Sequence, residues 1–90
     1  MKLTEKMTIV NKLGLHLRAA AELVKTANRF KCHVAVKHGI QNANAKSLMG
    51  LMTLAAAKGT ELEVTTDGED AKEALTAVRQ LLQRKFGEKE

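Results

Sequence analysis

Residues 3–10, Leu-Thr-Glu-Lys-Met-Thr-Ile-Val, alternate loosely, with Leu3, Met7 and Ile9 on one side. A period of two predicts a strand with one solvated face. Asn11 to Gly14 break this pattern as a turn. From Leu17 the period lengthens. Ala20, Leu23, Val24, Ala27 and Phe30 fall at helical spacing, with Arg18, Glu22, Lys25 and Arg29 largely off that stripe. Cys32, Val34 and Val36 then alternate with His33, Ala35 and Lys37, which predicts a second strand. His38-Gly39 is turn chemistry, and a short third strand follows around Ile40 to Asn44. Ser47 opens a short helix from Leu48 to about Ala57, closed by Gly59. Thr60 to Thr66 is a fourth strand, with Leu62 and Val64 pointing one way and Glu61 and Glu63 the other. After the Asp67-Gly68 turn, a last helix starts near Asp70. Its apolar stripe is Ala71, Ala74, Leu75, Val78, Leu81 and Leu82. Gly87 and a charged tail follow. The order β-α-β-β-α-β-α predicts an α+β fold: an antiparallel sheet whose apolar face is covered by helices in two layers.

Ninety residues bound this to one domain, residues 1–90. A single cysteine, Cys32, excludes a disulfide framework and a multi-cysteine zinc site, and it fits a reducing compartment. The longest strongly apolar uncharged run, Ser47 to Ala57, is too short to span a bilayer, and the first residues carry Lys2, Glu5 and Lys6 instead of an apolar signal core. The expectation is a soluble cytoplasmic protein with no direct membrane insertion. Net charge is +5 and uneven. Residues 1–46 hold nine Lys/Arg against two Asp/Glu, and residues 47–90 hold six against eight. A basic half can attract phosphates, nucleic acid or an acidic protein, or can simply be a solvated surface. With Phe30 and Phe86 as the only aromatics, the stacking platform of an RNA-binding sheet is missing, so no nucleic-acid partner is expected.

The candidate chemistry centres on histidine. His33 lies on the polar side of a strand and His38 at a turn, both surface positions. Cys32 and His33 point to opposite faces of the sheet, and no fourth ligand has suitable spacing, so no metal site is expected. His16 stands at the junction of turn and helix, two residues before Arg18. A helix starting at Leu17 leaves its first backbone N–H groups without partners, and these donors at the positive helix end form an anion cradle. Arg18 adds a fork that suits phosphate oxygens. The same positive field disfavours the imidazolium. A neutral ring nitrogen beside such a cradle can accept a phosphoryl group without a metal or other cofactor. A histidine that merely caps the helix beside a solvated arginine is the plainer reading, and from these residues alone it stays open.

Ser47 can cap the short helix with its hydroxyl, and a phosphate there would also suit the helix dipole. Leu48, Met49, Leu51, Met52 and Leu54 occupy more than one face of that helix, so some are expected to stay exposed, where methionines suit adaptable docking. A core role for all of them is the alternative. Gly50 within the helix implies a close approach by a partner or tight internal packing.

Five segments together resemble one known family: Asn11-Lys-Leu-Gly-Leu-His-Leu-Arg18, Ala27-Asn-Arg-Phe30, Asn44-Ala-Lys-Ser-Leu-Met-Gly-Leu-Met52, Leu54-Ala-Ala-Ala-Lys-Gly-Thr60 and Gly68-Glu-Asp70. The chain resembles HPr, the histidine-containing phosphocarriers of the bacterial phosphoenolpyruvate-dependent sugar phosphotransferase system. The resemblance implies an open-faced β-sandwich, with a four-stranded antiparallel sheet covered on one face by three helices. It implies that His16 takes a phosphoryl group on Nδ1 from the phosphohistidine of enzyme I and passes it to a histidine of an enzyme IIA domain. Arg18 and the backbone of Leu17, Arg18 and Ala19 would hold the phosphoryl group. Ser47 would be a regulatory site for an HPr kinase/phosphorylase, with a transcription regulator as a further partner. Leu17, Lys46, Leu48, Met49, Leu51 and Met52 would dock partners. The protein would be a monomeric carrier rather than an independent enzyme.

Two positions depart from the family's usual motif. Leu17 replaces the alanine after the histidine, and Ala19 replaces the proline after the arginine. Alanine keeps the helix competent and restores one N–H. Leu17 puts bulk beside the reacting ring, where it bears on partner choice. The alternative it raises is a regulatory paralogue, in nitrogen-branch or catabolite-repression signalling, acting mainly through partner binding.

Overall fold

A computed structural model describes residues 1–90. Its elements are β1 (Lys2–Thr8), α1 (Leu17–Ala27), β2 (His33–His38), β3 (Gln41–Asn44), α2 (Leu48–Met52), β4 (Glu61–Asp67) and α3 (Ala71–Gln83). The four strands form one antiparallel sheet in the order β1-β4-β2-β3. Thus β4 pairs on both sides, and β1 and β3 are the edges. The register sets Leu3 opposite Thr66, Met7 opposite Leu62, and Val36 opposite Val64. Side chains of one parity therefore collect on one face. That face is covered by helices. Ala20 and Leu23 of α1, Leu51 of α2 and Val78 of α3 join Ile9, Val34, Val36, Leu62 and Val64 in a single cluster of 23 buried residues. The other face is open and polar, with Thr4 and Thr65 hydroxyls 3.0 Å apart across β1 and β4. This is the two-layer arrangement that the hydrophobic pattern implies, and it has the open-faced form that the resemblance implies.

The α3 stripe is buried at all six expected positions. Its Asp70 serves a neighbour, accepting from the backbone N–H groups of Lys31 and Cys32, both at 2.9 Å, where the chain enters β2. The first helix begins at Leu17 as expected. It ends at Ala27, so Phe30 lies beyond it and packs half-buried against the core.

Two expectations require correction. Ile40 belongs to the hairpin turn, 95% exposed, and not to β3. The second helix stops at Met52 instead of near Ala57. The Thr53 hydroxyl donates to the Gly50 carbonyl at 2.6 Å, and the Thr53 and Leu54 amides turn back to Gly50 and Leu51. This tightens and closes the last turn. Ala55 then takes φ +48°. The Ala56 carbonyl accepts the Leu15 amide at 2.8 Å, which ties this segment to the loop before α1. Gly59 is not a helix cap; its amide donates to the Ile9 carbonyl at 2.7 Å.

The loop before α1 depends on Gly14. It adopts φ +69°, and a Cβ there would come within 2.6 Å of the Ala56 carbonyl oxygen. Only glycine meets both demands. The contact holds the turn from Asn11 to Leu15 against the 54–57 segment and so fixes where α1 begins.

Candidate functional site

His16 occupies the N-cap position of α1 with extended backbone angles, φ −76° and ψ 178°, and its side chain makes no capping hydrogen bond. The first amide with an acceptor is that of Ala20, which bonds to the His16 carbonyl at 2.8 Å. The amides of Leu17, Arg18 and Ala19 have no acceptor within the chain. The ring is therefore not employed as a helix cap. It stands beside unpaired donors at the positive end of an eleven-residue helix.

The imidazole side chain is 28% exposed, opening into a shallow surface cleft shared with Lys12, Leu13, Leu17, Arg18 and Glu88. Arg18 is exposed and its guanidinium bonds to no group of the chain, so its fork is free for an anion. Ala19 is buried as a residue, and its amide, like those of Leu17 and Arg18, belongs to the unpaired first turn of α1.

The far end of the chain closes one side of the cleft. After α3, Lys85, Phe86 and Gly87 take φ of +58°, +56° and +84°, and this left-handed turn reverses the chain. Phe86 is buried in the core. The Lys12 amide then donates to the main-chain oxygen of Glu90 at 2.6 Å. Between these anchors Glu88 meets two partners: Asn11 Nδ2 donates to Oε1 at 2.8 Å, and Oε2 takes a hydrogen bond from His16 Nε2. Burial pushes the Glu88 carboxyl up, but the bonds from Asn11 and His16 and the charges of His16 and Arg18 outweigh it and hold it below the usual carboxylate range.

A family profile described as the PTS HPr component phosphorylation site matches residues 3–84. The chain belongs to the HPr family. Its role at that level is that of a phosphocarrier of the phosphotransferase system. The phosphocarrier protein HPr of Neisseria meningitidis is 49% identical over 98% of this chain and 99% of its own. Among solved structures, HPr-C-His from Thermoanaerobacter tengcongensis superposes with a TM-score of 0.93 at 38% identity, covering 98% of this chain and 99% of that one. An HPr dimer from the same organism superposes with a TM-score of 0.78 at 40% identity, covering 91% and 94%. The open-faced sandwich is the fold of these HPr structures.

The remaining candidate residues divide around this cleft. Leu17 is 60% exposed beside the ring, and on α2 Met49 and Met52 are 78% and 38% exposed. Leu48 is half-buried against the core. Leu51, expected on the exposed face, is instead completely buried, because a helix of five residues packed on α1 and β3 turns one side wholly inward. The Lys46 ammonium donates to the Phe30 carbonyl at 2.7 Å, tying the segment after α1 to the segment before α2. Ser47 caps α2, its Oγ accepting from the Gly50 amide at 3.1 Å. Gly50 is explained by packing: a Cβ there would meet Ser47 Oγ at 3.2 Å and Ala43 Cβ at 3.6 Å. His33 is exposed, and His38 Nδ1 lies 2.7 Å from the Leu54 carbonyl oxygen, away from the cleft. Asn11 and Glu88 are the site residues that the hydrophobic pattern misses. They read as a turn residue and a charged tail, and they meet only because the chain reverses after α3.

Proposed function

We propose that His16 carries the phosphoryl group, taking it on Nδ1 from the phosphohistidine of enzyme I and yielding it to a histidine of an enzyme IIA domain. The observation that carries this reading is a partly exposed imidazole that does not cap its helix, next to unpaired amides and an unengaged guanidinium. The Leu17, Arg18 and Ala19 amides and the Arg18 fork would share the phosphoryl oxygens, and preorganised donors of this kind need no rearrangement as the charge arrives. No cofactor or metal is needed, since both donor and acceptor are imidazoles.

In this reading residues 1–90 act as one domain and as a monomer that meets its partners in turn. Leu17, Met49 and Met52 form the apolar part of the docking surface, with Lys46 and Leu48 at its margin. Ser47 is the regulatory site for an HPr kinase/phosphorylase. A phosphate on its Oγ would replace a neutral cap by a dianion beside that surface and would repel an acidic partner. Leu17 favours a second reading: bulk next to the reacting ring selects partners, and a regulatory branch that works through binding, including a transcription regulator, uses such selection.

Incubation with phosphoenolpyruvate and cognate enzyme I tests the assignment. The protein is expected to gain one acid-labile phosphoryl group, and His16→Ala none. A His16→Ala protein that still gains the group overturns it.

A further inference from the structure

The contact between Glu88 and His16 has a direction. Glu88 is an ionised carboxylate and can only accept, so the His16 nitrogen that faces it, Nε2, carries the hydrogen. In a neutral imidazole the other nitrogen, Nδ1, is then the one with the lone pair. Nothing in the chain bonds to Nδ1. One face of the ring is thus held by a carboxylate, and the opposite nitrogen is left free.

Glu88 is itself held in place. Asn11 is completely buried and spends both hydrogens of its amide on acceptors: the Gly14 carbonyl at 2.8 Å and Glu88 Oε1 at 2.8 Å. Its own Oδ1 is buried with no partner. An orphaned buried acceptor is costly. Rotating the amide by half a turn would not relieve this, because Oδ1 would then face two acceptors. The orphan is the consequence of aiming both N–H groups at Gly14 and Glu88.

The carboxylate does not act as a stand-in for phosphate. Neither the Arg18 guanidinium nor the Leu17 or Arg18 amide bonds to it, so the cradle donors remain available while Glu88 is in place.

We propose that Glu88, fixed by Asn11, is a positioning residue for His16: it keeps the ring proton on Nε2 and presents Nδ1 as the nucleophile. The inference rests on the carrier reading above. In the transfer step the Nδ1 lone pair forms the new N–P bond, and the P–N bond of the donor breaks with its electron pair returning to the donor ring. No proton enters or leaves. His16 becomes an N-phosphorylated imidazolium that keeps its Nε2–H, and the positive charge that develops on the ring lies against Glu88. Carboxylate–histidine pairs act in this way elsewhere, and loss of the orienting carboxylate lowers activity about tenfold or more.

The test is Glu88→Gln, which keeps size and removes charge. Two readouts are taken. The first is ¹⁵N NMR of the His16 ring in the unphosphorylated protein at alkaline pH. The expected result is a protonated Nε2 and a bare Nδ1 in the parent, with a mixture of tautomers in Glu88→Gln. The second is the rate of phosphoryl uptake from phospho-enzyme I, expected to fall about tenfold with little change in the enzyme I concentration that half-saturates it. An Asn11→Ala protein that remains folded should move both readouts the same way. Unchanged tautomers with an unchanged or faster rate in Glu88→Gln overturn the proposal. If neither protein takes up phosphate, the carrier reading fails and the role in transfer fails with it, whereas the ring spectra still decide whether the Glu88 contact sets the tautomer.

Discussion

Glu5 interrupts the alternation of β1: it shares parity with Leu3 and Met7, yet it is a carboxylate on the side that the helices cover. The structure resolves this through Arg79 of α3, whose Nε and Nη2 donate to the two carboxylate oxygens at 2.8 and 2.7 Å. That fork holds the Glu5 carboxyl below its usual range, with burial opposing. Asp70 is lowered as well, first by the Lys31 amide, and Glu88 is lowered as described above. A carboxyl depressed in the folded state contributes stability that is present above its unfolded value and lost as pH falls through the folded one. Urea unfolding is therefore expected to show a plateau near neutral pH and a decline that begins around pH 4–5 and continues below it. Because the Glu5–Arg79 pair is about one-third exposed, its weight is small and sensitive to salt. The informative quantity is the slope, which Glu5→Gln should flatten. An identical slope in the variant would remove the pair from this account. At the same scale, the loose alternation read in β1 is itself the trace of this pair. The partner could not be read, because Arg79 lies 74 positions away on another element.

Among the elements, α2 departs most from its pattern. Its apolar run continues through Ala57, and composition alone supplies no reason to stop. The stop comes from the Thr53 hydroxyl taking the Gly50 carbonyl and from the Leu15 amide claiming Ala56. The second of these is a tertiary contact and leaves no local signal. The short helix separates two kinds of apolar residue. Leu51→Ala is expected to cost about 2–5 kcal/mol in urea unfolding, as a fully buried leucine does. Met49→Ala, at a 78% exposed position, should leave stability within about 0.5 kcal/mol while weakening enzyme I association in a titration. A Met49→Ala protein that binds enzyme I as tightly as the parent would take α2 out of the docking surface. By contrast α1 and α3 were legible in their stripes, since long amphipathic segments carry their burial in their own period.

For the whole molecule, the sheet order places β4 at the centre and leaves one face to the helices. The N-terminus of α1 then sits at the rim, where the turn after α3 brings the chain back across it. The His16–Arg18 half of the site is contiguous in sequence and was legible there. The Asn11–Glu88 half is not, because it joins residues 77 positions apart through a left-handed turn that includes Lys85 and Phe86, types with no preference for positive φ. The two halves assign the two ring nitrogens different tasks, and phosphoryl position reports on both at once. The decisive measurement is long-range ¹H–¹⁵N NMR of the protein phosphorylated by phosphoenolpyruvate and enzyme I. A single phosphoryl group on His16, bonded to Nδ1 with Nε2 still protonated, is the expected result. A phosphoryl group on Nε2, or on His33 or His38, would contradict it.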